Sequence, residues 1–273
     1  MRELADEVEA ALGLAPPEPV TVVLALTDGG YERAVRELAG GGPGPPDWSL
    51  AAAIPGRNAV AIRASRLRLL TWADLRPTLA HELAHLALGP VRAEIPRWLN
   101  EGLAMYAEGR RLAPEERTGL EREARLGTLP ELAALESGFP EHAALAETSY
   151  LYSLAFVRAL EERGGPESIR DLVRRLDEGL PLDRAFLRTY DSPIEGFDSG
   201  FRGRLARRYS LVRDFSEQAT IVTFLAVLAA FAGIIVVLRR RRAIRRMDDA
   251  PEPPAPTPPT PPTNLRPPPN VEG

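Results

Sequence analysis

The stretch that decides how the chain is interpreted is His81-Glu82-Leu83-Ala84-His85, an H-E-x-x-H motif that contains two of only three histidines. A spacing of four residues places both imidazoles on one face of a helix, where they can hold one metal ion. Glu82 is then positioned to act as a general base on a water molecule that the metal activates. A helix with two exposed histidines is the simpler interpretation. It is disfavoured because the neighbouring residues are apolar, namely Leu79, Ala80, Leu83, Ala84, Leu86 and Leu88.

Length and composition limit the possible domain organisation and the possible classes of partner. The chain has 273 residues, enough for one large domain or two small ones with a substantial core. It has no cysteine, which excludes disulfide bonds and cysteine ligands for a metal. A formal net charge of −4 is close to balance and gives no indication of a nucleic-acid partner.

The residues before the motif predict two helices and a small sheet. A helix is expected over Arg2–Leu12, a buried strand over Val20–Leu26, and a second helix that ends near Ala39. Trp48–Ile54 and Ala59–Arg63 then predict a β-hairpin whose turn is residues 55–58. The sequence therefore predicts three strands before the metal helix and none after it.

The residues from the motif onward predict helices. The metal helix should begin near Thr71 or Asp74, with Pro77 in its first turn, and should end at Gly89-Pro90. The next helix opens at Pro96, and the later ones are expected near residues 115–126, 149–163, 166–177 and 193–208. A stripe in the last of them predicts core packing through Phe197, Phe201, Leu205 and Tyr209. The predicted fold class is α+β: a small N-terminal sheet and a mainly helical domain, followed by one membrane helix.

A catalytic zinc site needs a third protein ligand, and the chain offers two candidates. His142 follows Pro140-Glu141 in a predicted loop with no motif around it, and we interpret it as a surface residue. Glu101 lies 16 residues after His85, which leaves enough chain to end one helix, turn and return with the next. We expect Trp98, Leu99 and Leu103 to pack that helix against the metal helix. Glu101 is therefore the predicted third ligand.

These residues resemble the gluzincin metallopeptidases, specifically the bacterial peptidase MA-like group. The resemblance is carried by His81-Glu82-x-x-His85 followed by Pro96-Arg97-Trp98-Leu99-Asn100-Glu101-Gly102-Leu103-Ala104. It extends to the strands from Val20 to Arg63 and, through Tyr150-Leu151-Tyr152-Ser153-Leu154-Ala155-Phe156-Val157, to about Tyr209. It implies a gluzincin-type fold in which His81, His85 and Glu101 bind Zn²⁺ and Glu82 is the general base.

The chain departs from thermolysin-like gluzincins in two ways. The interval from His85 to Glu101 is shorter, which implies a tighter connection between the two helices. Those enzymes also carry an aspartate one turn after the glutamate ligand, where it orients a zinc-binding histidine. Met105 stands at that position here, and Glu108, a turn further on, is not assigned to the role.

The implied reaction is zinc-assisted hydrolysis of a peptide bond in a peptide or protein substrate. Gluzincins often stabilise the developing negative charge with a tyrosine or histidine from a later helix. Tyr150 is the candidate here and Tyr152 the second choice. A different class of function remains possible: a zinc-holding or metal-free domain that binds a partner at the membrane surface and cleaves nothing. The presence of Glu82 argues against it, because a structural zinc site needs no base. An intramembrane protease is a third interpretation, disfavoured because a single membrane helix is predicted.

The segment Ala219–Leu238 has 20 residues without a charge, long enough to cross a bilayer. The predicted organisation is a peptidase domain at 1–215, a membrane helix at 219–238, and an Arg-rich then Pro-rich tail at 239–273. Six arginines at 239–246 follow the helix directly, which favours a cytoplasmic tail and an extracytoplasmic catalytic domain. The first residues contain no apolar signal segment, so either the domain is not exported or, as the arginines lead us to expect, a signal peptide precedes Met1 in the full gene product.

Overall fold

The computed structural model describes residues 1–41, 44–45, 49–140 and 142–209. In chain order its elements are α1 (Arg2–Leu12), β1 (Thr21–Ala25), α2 (Asp28–Leu38), β2 (Ala51–Ile54), β3 (Ala59–Arg63), α3 (Trp72–Leu88), α4 (Arg97–Ala107), α5 (Pro114–Leu126), α6 (Ala143–Gly164), α7 (Pro166–Asp177), α8 (Leu182–Tyr190) and α9 (Ile194–Arg208). Short 3₁₀ turns lie at Pro55–Arg57, Ala64–Leu69 and Leu132–Leu135. The mostly helical composition with one small sheet is consistent with the predicted α+β class.

The sheet has three strands in the order β1-β3-β2, with β1 parallel and β2 antiparallel to β3. The predicted hairpin of β2 and β3 is present over the described residues, although Trp48 at its expected start lies outside them. The N–H of Arg63 donates to the carbonyl oxygen of Leu50 at 2.8 Å. Residue pairs in an antiparallel ladder alternate between hydrogen-bonded and non-hydrogen-bonded pairs. Because Leu50 and Arg63 form a hydrogen-bonded pair, the backbone N–H and C=O groups of Ala51 and Ala53 point away from β3, toward the open edge of β2.

The prediction of a buried first strand is wrong for most of β1. Val22 is 40% exposed and Leu24 is 59% exposed, whereas Ala25 is buried. The reason is the place of β1 at the edge of the sheet, where α2 packs against only one of its faces. A β-branched apolar run fits an edge strand as well as a central one, so its composition alone does not fix burial.

The start of α3 is fixed by a capping box. Thr71 is the N-cap, its backbone N–H donates to Asp74 Oδ2 at 2.8 Å, and the Asp74 N–H donates back to Thr71 Oγ1 at 3.4 Å. Pro77 therefore lies in the second turn of α3 instead of the first. From Leu79 to Leu88 nearly every residue of α3 is buried, which sets the motif on a rigid support.

The central helix of the domain is α4, which packs against α1, α3 and α6. Trp98, Leu99 and Leu103 are buried as predicted. Gly102 faces α6 so closely that an added Cβ would lie 2.7 Å from the carbonyl oxygen of Ser153. Burial on all sides fixes both the position and the rotation of α4, and with them the direction of each polar side chain that it carries.

The helices after α6 complete the core. Phe197, Phe201 and Leu205 of α9 are buried as predicted, while Tyr209 is only partly buried. The helix α8 was not predicted, because it is short and begins directly after Gly179 and Pro181, which read as a loop. Its buried Phe186 packs in an aromatic group with Phe156 and Phe197, tilted against the first ring and edge-on to the second.

The described residues all belong to one compact unit, Met1–Ser210. Among the helices of these residues, none combines the length and the apolar character that a bilayer span requires. The predicted membrane segment 219–238 and the tail 239–273 lie outside the described residues.

Candidate metal centre

Three side chains from α3 and α4 converge on one point. The Nε2 atoms of His81 and His85 are 3.1 Å apart. Glu101 Oε2 lies 3.5 Å from the first of these atoms and 3.6 Å from the second. This His/His/Glu cluster, whose ligand atoms all lie within 4.8 Å of one another, brings together the three residues that the sequence predicted as metal ligands.

The opposite nitrogen of each imidazole is held by a hydrogen-bond acceptor. His81 Nδ1 lies 3.0 Å from Glu108 Oε2, and His85 Nδ1 lies 2.6 Å from Asn100 Oδ1. Because a carboxylate and an amide oxygen only accept, each neutral ring carries its proton on Nδ1 and presents a lone pair at Nε2. Glu108 is therefore the residue that orients His81, a role that the sequence analysis left unassigned. Asn100 orients His85 and was missed by the sequence analysis.

Helix geometry explains how both partners reach the histidines. Glu108 lies seven residues after Glu101, which is nearly two full turns, so both carboxylates share one face of α4. Asn100 directly precedes Glu101 in α4, and its side chain reaches His85, which lies one turn after His81 in α3. The i, i+7 relation is the signal that could have identified Glu108 from the sequence.

The electrostatics of the cluster favour a cation at its centre. Burial alone would lower the pKa of His81, but hydrogen bonds to Glu101 and Glu108 and the nearby charge of Glu82 raise that pKa to about 10. Burial alone would raise the pKa of Glu101, but the hydrogen bond to His81 and the charges around it hold that pKa below its usual value. The carboxylates thus stabilise positive charge between the two rings.

The arrangement fits a divalent metal of the zinc type. Two neutral imidazoles whose Nε2 atoms lie 3.1 Å apart would direct their lone pairs at each other, which is unfavourable unless a proton or a metal cation lies between them. Ligand atoms about 2.0–2.1 Å from a tetrahedral zinc are about 3.3 Å apart, close to the separations found here. Two imidazoles and one carboxylate are also the ligand set of a catalytic site that keeps a fourth position open.

Glu82 is buried and its carboxylate is tied to the sheet. The N–H of Ala53, which points to the open edge of β2, donates to Glu82 Oε2 at 2.6 Å. This bond fixes one carboxylate oxygen, and the side chain faces the same cavity as His81 and His85. A carboxylate held in this way has a fixed orientation in the cavity.

The cluster forms the floor of a cavity of about 490 Å³. One wall is the edge of β2, from Ala51 to Ala53. The opposite wall is the first part of α6, with Glu147, Tyr150 and Leu151. The remaining lining residues are Val35, Gly44, Pro45, Ser49, Arg97, Met105, Glu108 and Arg110. The cavity is large enough for several residues of an extended peptide.

The structure separates the two predicted tyrosines. Tyr150 lines the cavity, and burial followed by the charge of Glu101 raises its pKa, so the phenol stays protonated as a donor. Tyr152, the second choice, is fully buried and its hydroxyl donates to Asp198, away from the cavity. His142 is exposed at the N-cap of α6 and lies outside the cluster, as expected for a surface residue.

Comparison with known proteins gives a family match. Residues 10–207 match the family model described as the Peptidase MA superfamily, a range that covers more than half of the chain. No curated protein and no solved structure matches. The matched range includes α3, α4 and α6, the helices that build the cavity floor and one of its walls.

Proposed function

The chain belongs to the peptidase MA superfamily, and from this premise we propose that it is a zinc-dependent peptidase with His81, His85 and Glu101 as metal ligands. The family match confirms the resemblance inferred from the motifs. The observation that carries the proposal is the convergence of three ligand atoms within 4.8 Å on the floor of a cavity that Glu82 also lines. A zinc ion held there would supply Lewis-acid activation of a water molecule and of the substrate carbonyl.

In this proposal Glu82 moves the proton. Its free carboxylate oxygen accepts a proton from the attacking water as the water oxygen bonds to the carbonyl carbon, and it returns that proton to the leaving nitrogen as the C–N bond breaks. The Ala53 N–H keeps the carboxylate oriented throughout. The phenol of Tyr150 would donate to the carbonyl oxygen, where negative charge develops.

The open edge of β2 suggests how a peptide would be held. The backbone groups of Ala51 and the carbonyl of Ala53 point into the cavity, where an extended peptide can pair with them as an added strand. This pairing uses backbone atoms only and leaves side-chain preference to the other wall. A peptide or protein segment in an extended conformation is therefore the proposed substrate.

The test is Glu82→Gln in the full chain. The variant keeps the shape of the side chain and the bond from Ala53, so zinc content by elemental analysis should be unchanged. General-base loss lowers hydrolysis of a proteome-derived peptide library by about 10²–10⁴-fold. A variant that cleaves peptides at the wild-type rate would refute the role of Glu82.

The alternative function is a domain that binds a partner without cleaving it, with or without a metal. The same experiment separates the two. Wild-type protein that retains zinc under chelator competition but cleaves nothing in the library would support the binding domain. The presence of Glu82, tied to β2 beside an open cavity, favours the peptidase.

We also propose that residues 219–238 anchor the domain to a lipid bilayer, with the catalytic domain outside the cytoplasm. The support is the uncharged run itself and the arginines at 239–246 that follow it. Protease treatment of intact cells tests the orientation. A catalytic domain that stays protected until the cells are lysed would contradict it.

A further inference from the structure

Arg97 occupies the rim of the cavity beside the metal ligands. It is the first residue of α4, and its backbone N–H donates to the carbonyl oxygen of Glu136 at 2.8 Å. Its Nη2 atom lies 3.3 Å from Oε1 of Glu101, the oxygen that does not face the histidines. The side chain is 45% exposed and lines the cavity. The Glu101 carboxylate thus lies between the Arg97 guanidinium and the two histidines.

Helix stability does not explain an arginine at this position. A cation at a helix N-terminus opposes the helix dipole, and the first turn of α4 contains no acidic residue to offset it. The i, i+4 pair with Glu101 contributes little where the guanidinium is half-exposed. A residue that departs from the local preference in a cavity wall is a candidate for a functional role.

Two aromatic side chains hold the guanidinium in place. Its Cζ atom lies 5.5 Å from the centroid of the Phe139 ring, which in turn contacts the Tyr150 ring edge-on at 4.6 Å. Arg97 also lies close enough to the phenol of Tyr150 to oppose, by hydrogen bonding and by its charge, the rise in the Tyr150 pKa that burial and Glu101 cause. Because a guanidinium only donates, the phenol oxygen can only accept from Arg97, and the phenol proton is left for another acceptor.

We propose that Arg97 is a catalytic residue of peptide hydrolysis: its guanidinium donates to the substrate carbonyl oxygen as that oxygen becomes negatively charged. The proposal rests on the peptidase function proposed above. Arg97 and Tyr150 then form a pair of donors on the same side of the cavity. A preorganised donor of this kind stabilises the transition state more than the bound substrate.

A purely structural role makes a different prediction. If Arg97 only steadies Glu101, its removal loosens the ligand, lowers zinc affinity, and reduces activity in proportion to the zinc that is lost. If it donates to the carbonyl oxygen, its removal lowers kcat in fully zinc-loaded protein and leaves zinc affinity nearly unchanged. Zinc affinity and kcat must therefore be measured on the same variants.

The experiment uses the full chain with Arg97→Gln and Arg97→Lys, and with Arg117→Gln as the control. Arg117 is exposed on α5 and is not among the residues that line the cavity. Zinc affinity is measured by chelator competition, and kcat and KM on a peptide that the wild type cleaves at saturating zinc. Loss of one such donor lowers kcat by about 10²–10³-fold, so this is expected for Arg97→Gln, with partial rescue in Arg97→Lys and no change in Arg117→Gln.

A second readout does not depend on turnover. A phosphonamidate analogue of the cleaved peptide imitates the charged tetrahedral carbon, whereas the cleaved products do not. Arg97→Lys, which keeps the charge and the stem should Arg97→Gln not fold, is expected to weaken binding of the analogue more than binding of the products.

The outcomes separate the two proposals. Wild-type protein that cleaves no peptide overturns the peptidase function and this inference with it. Active wild type with full kcat in both Arg97 variants overturns the inference alone. A fall in zinc affinity that matches the fall in activity, with unchanged binding of the analogue, would assign Arg97 to the support of Glu101 and also overturn the inference.

Discussion

Replacement of Gly102 by alanine tests whether the packing of α4 positions Glu101, the proposed metal ligand. An ideal Cβ at Gly102 lies 2.7 Å from the Ser153 carbonyl oxygen and 2.8 Å from Val157 Cγ2, about 0.7 Å short of ordinary contact at 3.4 Å. Neither neighbour can yield easily, because one is backbone and the other is a buried β-branched side chain in the middle of α6. The strain is therefore expected to move α4 away from α6.

The magnitude follows from two opposing effects. Overpacking in a filled core costs about 1–3 kcal/mol, and alanine regains up to about 1 kcal/mol over glycine in a helix. We expect a net loss of about 1–2 kcal/mol, or about 2–8 °C in Tm for a domain of this size. Glu101 precedes Gly102 directly and would move with it. A shift near 0.7 Å exceeds the tolerance of about 0.5 Å for a metal or catalytic site, so zinc affinity should also fall.

Gly119 is the matched control for this change. It lies within α5, and an added Cβ there meets nothing within 4 Å. Gly119→Ala should stabilise the chain by about 0.4–1 kcal/mol, because it restricts the unfolded chain without a clash. The assays are thermal unfolding in chelator and zinc affinity by competition. If Gly102→Ala raises Tm as the control does, or keeps wild-type zinc affinity, the argument from close packing is refuted.

Further predictions concern the cluster itself. Glu101→Ala should lose zinc under chelator competition, and undiminished zinc would remove Glu101 from the ligand set. Glu108→Ala should lower zinc affinity by about 10–100-fold, whereas Glu115→Ala, exposed on α5, should not; equal affinities would show that the bond to His81 is unimportant. The pKa of His81 is raised to about 10, so in zinc-free protein its stabilising contribution is present below about pH 6.5 and is lost as pH rises toward 10. The denaturant concentration at the unfolding midpoint of zinc-free protein should therefore decrease as the pH is raised from 7 to 9. A midpoint that does not change with pH would contradict the described charge arrangement.

The parts predicted correctly from the sequence are those set by local spacing. His81 and His85 are four residues apart on one helix, so their shared face follows from helix geometry alone. The position of Glu101 beside the two histidines could be predicted because it lies early in the next helix, whose apolar residues imply packing against the first. The hairpin of β2 and β3 depends on a short turn between two apolar runs. In each case the relevant contacts join residues close in the chain.

The features that were not predicted depend on contacts between distant segments. The bond from the Ala53 N–H to Glu82 joins residues 29 apart and requires the position of β2 relative to α3. The exposure of Leu24 depends on which strand takes the edge of the sheet. Asn100 could be assigned to His85 only once the rotation of α4 was known. Sequence patterns give the period of a helix but not its rotation about its own axis.

The segment from Trp72 to Glu108 contains every predicted metal ligand and both hydrogen-bond partners of the histidines. The cavity walls come from elsewhere, from β2 on one side and from Tyr150 and its neighbours on α6 on the other. The predicted ligands are thus encoded in one short stretch of chain and the cavity walls in others. In the proposed function, wall side chains other than Tyr150 could differ between relatives and change the peptide that is recognised, while α3 and α4 keep the ligands in place and the backbone of β2 keeps Glu82 oriented.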